Sequence, residues 1–490
     1  MVVYYLNRFR QYLCRGRKGR RPAKLPRRPQ LEPLEDRMVL SSAVPVGTTL
    51  NVVATPGDSI LFQQDFKDHS KLDVFTDNGT IGTLFPLGQF KAASFKTVNV
   101  FSQDNNDAIQ VDYSNGSPFA PLTSISLSGN GSDHFLDLFD LQGSKGITGG
   151  EVYTAGTATQ AGSLSLAATT FRFSSAFSTV ADKVPNTSPA DTLDVNAPGR
   201  TITLSGSGGF QEQFDGLAGT GGGGNTLIFA NKAEVVLEVE SDIALATLKA
   251  TGADPALKGV TVDLLGSFDR ADIQAAPSSV STAVQAIGKS GTVDVRANAG
   301  FVNVLGNSTT RVVLGSDPFN SATSLTSGIG RDVSVIGAGQ LFIENAGNAK
   351  TSENVKVTES TVFGTGLFGS NSVVVHYSST SFLQIDPGQL ANTYTVVASH
   401  AGARFSSAIN INDVSSSKVQ NIVVDVDSAS GLNLSMFDES PANAHLFISA
   451  PGGTFNPLKP VTPNGKETVT FKGGLTSTVT YFGFDNVSHS

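Results

Sequence analysis

The chain holds one cysteine, Cys14, in 490 residues, and no tryptophan. A body with no thiol after residue 14 cannot be stapled by disulfides and cannot build a thiolate metal site. It must be held by burial and backbone hydrogen bonds. The six histidines (His69, His134, His376, His400, His445 and His489) are scattered, with neither an H-E-x-x-H motif nor an i, i+4 pair, so a zinc centre has no support. No run of about 18 apolar residues occurs, which excludes a membrane-spanning helix. Only 16% of residues are charged, and Ala-Leu-Glu-Lys blocks are missing, which argues against a helical bundle. No G-x-S-x-G nucleophile elbow occurs either.

The residues that are present are unevenly distributed. Residues 1–37 carry eleven Lys and Arg against Glu32, Glu35 and Asp36, a net +8. The whole chain is −8, so the remainder stands at −16. An acidic body repels polyanions, and nucleic acid is not an expected partner. At 39% hydrophobic, with 31 Phe, the chain is too apolar for disorder as a whole. The basic region is very long and no clean apolar core follows it, so it is not an ordinary secretory signal; MVLSSAV, Met38 to Val44, is the nearest apolar stretch.

The arm ends in RRPQLEPLEDRMVLSS. This stretch resembles the N-terminal export-associated segment, of LEPR-XLL type, found on many large surface and secreted proteins of planctomycete bacteria. Leu31, Glu32, Leu34, Glu35 and Arg37, with Leu40 and Ser41 after them, match its order of residue types. The resemblance covers about residues 20–45 and implies export of the body attached to it, hence an extracellular or cell-surface location. The alternative is a nonspecific phosphate-binding tail, which an acidic body suits poorly.

From Thr49 onward, short pieces alternate apolar and polar residues with period two: TLNVVA, KTVNVF, SISLSG, VVLEVE, TVDVRA, NIVVDV and TVTYFGF. Such alternation predicts half-buried strands. Clusters of Gly, Asn, Asp, Ser and Pro between them supply turns. The fold class is therefore all-β: a right-handed parallel β-helix or β-solenoid, with tandem β-sandwiches as the alternative. Coils of about 20–30 residues are expected. GGNTLIF (Gly223 to Phe229) and ANTYTVVAS (Ala391 to Ser399) read as strand entries after Asn corners, and they resemble the rungs of large repetitive planctomycete surface proteins. The expected organisation is a disordered basic export segment over 1–45, an N-terminal β region over 46–195 that could be a separate sandwich or the first coils, and a solenoid body over 196–490. One short helix is expected, SSVSTAVQAIGK, within Asp269 to Lys289.

Few residues point to chemistry. SGNGSDHFL, Ser128 to Leu136, resembles the calcium-binding nonapeptide of β-roll proteins, with Gly129, Gly131 and Asp133 in place and Ser128 departing from the first glycine. That family uses tandem copies. Here there is one, beside a looser DNNDAIQV at Asp104 to Val111, so a plain Asp-Gly turn is the competing reading. Asp425 and Asp427 are explained by strand alternation. GTGLFG, Gly364 to Gly369, matches a dinucleotide fingerprint formally, but a strand and not a helix comes after it. β-Helical lyases and hydrolases need clustered Asp, Arg or Lys on one coil face, whereas the arginines of the body are widely spaced. The densest group, Asp269, Arg270 and Asp272, reads as a cap for the short helix.

The expectation is thus an exported, adhesin-like structural solenoid without catalytic activity, offering multivalent contacts to cell-surface glycans or other surface proteins. No cofactor is expected beyond the candidate calcium site. A β-helical carbohydrate-active enzyme is the alternative. Export is tested by fractionating the native host culture: the chain should be found outside the cytoplasm, and a cytoplasmic protein that still begins at Met1 overturns it.

Overall fold

A computed structural model describes most of residues 41–490. Residues 1–40 and several inter-strand segments, the longest being 130–137, lie outside the described residues. The export-motif residues Leu31, Glu32, Leu34, Glu35 and Arg37 are therefore among those not described. Forty strands succeed one another in chain order, from β1 (Ser42–Val46) to β40 (Asn486–His489), with two single 3₁₀ turns and no α-helix among the described residues. The chain after residue 40 is an all-β solenoid built of two parallel-stranded sheets.

The central coils show the plan. In the first sheet, β18 (Glu234–Val239), β20 (Gly259–Leu264), β22 (Ser281–Ala286), β24 (Val302–Leu305) and β26 (Val333–Ile336) pair in parallel. In the second, β19 (Leu245–Lys249), β21 (Arg270–Ala275), β23 (Thr292–Val295), β25 (Arg311–Leu314) and β27 (Gln340–Glu344) do the same. The chain alternates between the sheets, one strand in each per coil. Register partners Val260, Thr282, Val302 and Val333 are 22, 20 and 31 residues apart, which matches the expected coil length. Such continuous parallel ladders exclude tandem sandwiches.

Period-two alternation in sequence becomes columns in space. Val262, Val284, Val304 and Val335 stack in the first sheet, and Ile273, Val295, Leu314, Ile343 and Ile385 in the second, each essentially without solvent contact. These two inner faces form one hydrophobic core. In the first coils the filling is aromatic: Phe171 packs on Phe139 at 5.0 Å and on Phe119 at 5.9 Å, and Phe119 reaches Phe62 at 5.6 Å. The abundance of Phe before residue 200 therefore belongs to the same core. The ladders also cross position 195 unbroken, since β14 (Thr192–Asn196) pairs with β18.

Three-stranded meanders interrupt the repeat. β10 (Glu151–Ala155), β11 (Gly162–Leu166) and β12 (Thr169–Phe173) are successively antiparallel, but β12 lies parallel to β8 (Ser124–Gly129) and β10 parallel to β14. Three strands thus stand where a plain coil would place one. The next coil does the same in the second sheet, with β15 (Thr201–Ser205), β16 (Glu212–Ala218) and β17 (Thr226–Phe229) inserted between β13 (Thr179–Asp182) and β19. Each insertion advances its own sheet by two strands, so the pair keeps the sheets in step. A later meander, β28 (Asn354–Val357), β29 (Thr361–Thr365) and β30 (Val374–Ser378), extends the first sheet between β26 and β32 (Asn392–Val397).

The expected helix in Asp269–Lys289 is not formed. The stretch holds all of β21 and all of β22, and in β22 Thr282, Val284 and Ala286 are buried while Ser281, Ala283 and Gln285 alternate with them. Ala and Gln are good helix formers, but local propensity yields to tertiary context, and the register with β20 and β24 decides the outcome. GTGLFG likewise sits on β29 and the turn to strand β30, as the sequence indicates. A Cβ at Gly364 would lie 2.2 Å from the Asn354 carbonyl oxygen, and Gly366 has φ +80°, so these glycines serve strand packing and a turn.

The aromatic stack should dominate the stability of the first coils. Phe171→Ala should cost about 3–5 kcal/mol in chemical denaturation monitored by circular dichroism. A loss below about 1 kcal/mol contradicts the packing described.

Candidate functional site

The alternation that points Ala271, Ile273, Val293 and Val295 inward turns Asp272 and Asp294 to the opposite face of the second sheet. There they are register neighbours. Asp272 receives two hydrogen bonds from Arg296, at 2.6 and 2.7 Å, and Asp294 is paired with the Nε of Arg270. Each ion pair crosses from one coil to the next. The two aspartates are only 4% and 1% exposed although they stand on an outer face, each held against the guanidinium of its partner arginine. Burial pushes Asp294 up, and the two arginines oppose that shift.

The expected role of Asp269, Arg270 and Asp272 as a helix cap is thereby corrected. Arg270 and Asp272 are strand residues bonded to the next coil, and Asp269 closes the preceding turn by accepting from the Gly266 amide at 2.6 Å. Arginines that are widely spaced in sequence are brought together because their spacing approximates a coil.

Further along the ladder, the same face changes character. Arg311 on β25 lies 4.6 Å above the ring of Phe342 on β27, which in turn packs at 6.0 Å against Phe382 on β31 (Phe382–Asp386). Arg311 Nη2 stands 3.9 Å from Glu344 Oε1, while Glu344 Oε2 is buried without a hydrogen-bond partner. Glu344 and Asp386 are register neighbours, both almost fully buried. Burial first, and then the charge of Asp386, pushes Glu344 up to about 7, against the pull of Arg311; Asp294 and Asp317 add to the rise. A carboxyl group poised near neutrality, with a second carboxylate and a guanidinium beside it, can exchange protons.

Beside this face, a cavity of about 430 Å³ is lined by Leu325, Asn345, Asn348, Lys350, Leu367 and Asn371, among others. Behind it Asn345 and Asn348 donate to buried Glu353 at 2.7 and 3.3 Å. The Gly388 amide at 2.9 Å and the Tyr394 hydroxyl donate to it as well. Burial pushes Glu353 up and these hydrogen bonds hold it down. With all its bonds internal, Glu353 ties the loop 345–353 to the next coil.

Among residues singled out in sequence, Gly129 is the last residue of β8, paired with Ser102 of β6 (Thr97–Ser102). Gly131 and Asp133 lie outside the described residues, as do Asp104 to Asp107 and Asp427. No group of three or more His, Cys, Asp or Glu that could hold a metal ion occurs among the described residues. Glu344, Arg311 and Phe342 escaped sequence reading. Only the coil register brings them together, and LFIEN by itself reads as an ordinary strand. The chain matches no family model, no curated protein and no solved structure in comparisons with each.

Glu344 generates a pH test. Its native value lies above the ordinary 4.5, so the folded chain keeps a proton that the unfolded chain releases. That stabilisation is complete below about pH 4.5 and is lost as pH rises through about 7. Between about pH 5 and about pH 8, the wild type should lose up to about 3 kcal/mol relative to Glu344→Gln, measured by urea unfolding. Parallel pH profiles for the two proteins contradict the assignment.

Proposed function

We propose that this chain is an exported, non-catalytic β-solenoid of the cell surface or extracellular matrix, whose outer sheet faces make weak, repeated contacts with glycans or neighbouring surface proteins. One observation carries the reading. On the second sheet, charged groups are tied coil to coil and give way to a partly exposed Arg311–Phe342–Phe382 row. Aromatic rings beside amide, guanidinium and carboxylate groups suit the apolar face and hydroxyl rim of a sugar ring. Parallel stacking sets the two rings on successive coils, and several weak sites spread along one ladder would reinforce one another. The LEPLEDR segment and the thiol-free, acidic body support export. Among the described residues, no helix is long and apolar enough to cross a membrane.

A β-helical carbohydrate-active enzyme is the second reading, and Glu344 favours it. A carboxyl group titrating near 7 beside Asp386 and Arg311 is what acid–base cleavage of a glycan would use.

One experiment separates the two readings. The purified chain is incubated with a panel of insoluble and soluble polysaccharides, and both retention and product release are measured. Retention without new reducing or unsaturated ends, weakened at least about tenfold by the double change Phe342→Ala and Phe382→Ala, is the expected result. Product release abolished by Glu344→Gln would replace it with the enzyme. Failure to retain any glycan or any cell-wall fraction would remove the binding role.

A further inference from the structure

Inside the solenoid, three ionisable groups meet where only apolar residues are expected. Glu151 begins β10 and shares the inward face of the first sheet with Tyr153. Its register neighbours are Leu166 on one side and Leu193 on the other. Asp182 ends β13 on the inward face of the second sheet, between Leu141 and Phe229. Lys232 comes directly after Asn231, whose φ of +62° turns the chain after β17, and its side chain passes inward between them. All three side chains have 0% exposure.

The geometry is that of reactants. Lys232 Nζ stands 3.2 Å from Asp182 Oδ1 and 2.5 Å from Glu151 Oε2, and it also donates to the Val184 carbonyl oxygen at 2.5 Å. The Val184 amide donates to the same Asp182 Oδ1 at 3.3 Å, so that oxygen is already polarised. Tyr113, only 2% exposed, feels the charge of both carboxylates. Burial works to lower Lys232, but Asp182 and Glu151 together outweigh it and keep its proton bound before any bond forms. One ammonium cannot neutralise two carboxylates, and a residual charge in an apolar interior is costly.

We propose that Lys232 and Asp182 join in an intramolecular isopeptide bond, formed by the folded chain itself, with Glu151 as the proton relay. The Lys232 ammonium passes a proton to Glu151, and the freed lone pair bonds to Cγ of Asp182. Glu151 returns that proton to the Asp182 oxygen that will leave. The second surplus nitrogen proton takes the same route, the C–O bond breaks, and one water departs. Ammonium plus carboxylate thereby become amide plus water; nothing is oxidised, and Glu151 ends as it began. The fold supplies proximity without a bimolecular encounter, and water is excluded from the site. The product replaces the buried ammonium and one carboxylate with a neutral amide, so that one buried charge, on Glu151, stands where there were three. Asp182 is assigned as the acyl partner because the Val184 amide polarises its carboxyl group, while Glu151 approaches from the opposite sheet.

The bond would link residues 50 apart and close the chain around the second-sheet meander. It would give a thiol-free body a covalent staple that needs no oxidant.

The test is mass spectrometry of the purified full chain, intact and after proteolysis under denaturing conditions. The expected result is a mass lower by one water and a branched peptide joining Lys232 to Asp182. Asp182→Asn should give the same branch with loss of ammonia instead. Glu151→Gln, checked for folding by circular dichroism, should slow formation at least about a hundredfold, in keeping with general acid–base catalysis. Folded wild type whose Lys232 amine is fully recovered by labelling after denaturation overturns the bond. A branch to Glu151 overturns the assignment of partners, and a folded Glu151→Gln that cross-links at the wild-type rate overturns the relay. If Glu151→Gln does not fold, the wild-type mass and the Asp182→Asn leaving group decide the matter.

Discussion

Everything in this body depends on the parallel register between one coil and the next. Backbone hydrogen bonds set the step at about 4.8 Å, and each inward side chain then rests on its counterpart from the coil before. A slip of one residue would turn Val262, Val284, Val304 and Val335 outward and bring polar neighbours in. Two inner faces made of such columns need neither disulfide nor metal to define them. Both ladders also tolerate insertions, and one meander can offset another placed on the opposite sheet. The paired meanders at 151–173 and 201–229 show that compensation.

The same register decides what charged residues do. On the outer face of the second sheet it sets Arg270 against Asp294 and Arg296 against Asp272, and each carboxylate so paired is almost fully buried. Further along, Arg311 lies over an aromatic ring and only loosely beside Glu344, which leaves that carboxyl group with a proton affinity near neutrality. Locked pairs and a poised carboxyl therefore occupy one continuous face and differ by little more than the step from 2.6 Å to 3.9 Å in reach. Inside, parity works the other way: Glu151 and Asp182 fall on inward positions, and Lys232 meets both.

Much of the architecture was legible without coordinates. Strands such as TLNVVA, SISLSG and VVLEVE occur where the alternation indicates, because a half-buried strand requires that alternation. The single misplacement of type, STAVQA, has the same alternation with helix-tolerant Ala and Gln in it, and its neighbours above and below override a weak local preference. The coil period resisted reading because 20-residue coils and 31-residue coils are interspersed with meanders, so self-similarity is never sustained.

The amino-acid sequence alone determined the all-β class, the absence of thiol chemistry in the body, and the division between a basic arm and an acidic remainder. Those properties rest on local periodicity and composition, which no neighbour can change. Only the tertiary structure decided which residues meet. Arg270 and Asp294 are 24 residues apart, Glu344 and Asp386 belong to successive coils, and Lys232 and Asp182 are 50 residues apart. Their pairing depends on the length of every intervening turn and meander, summed along the chain, and a local stretch of sequence holds no record of that sum.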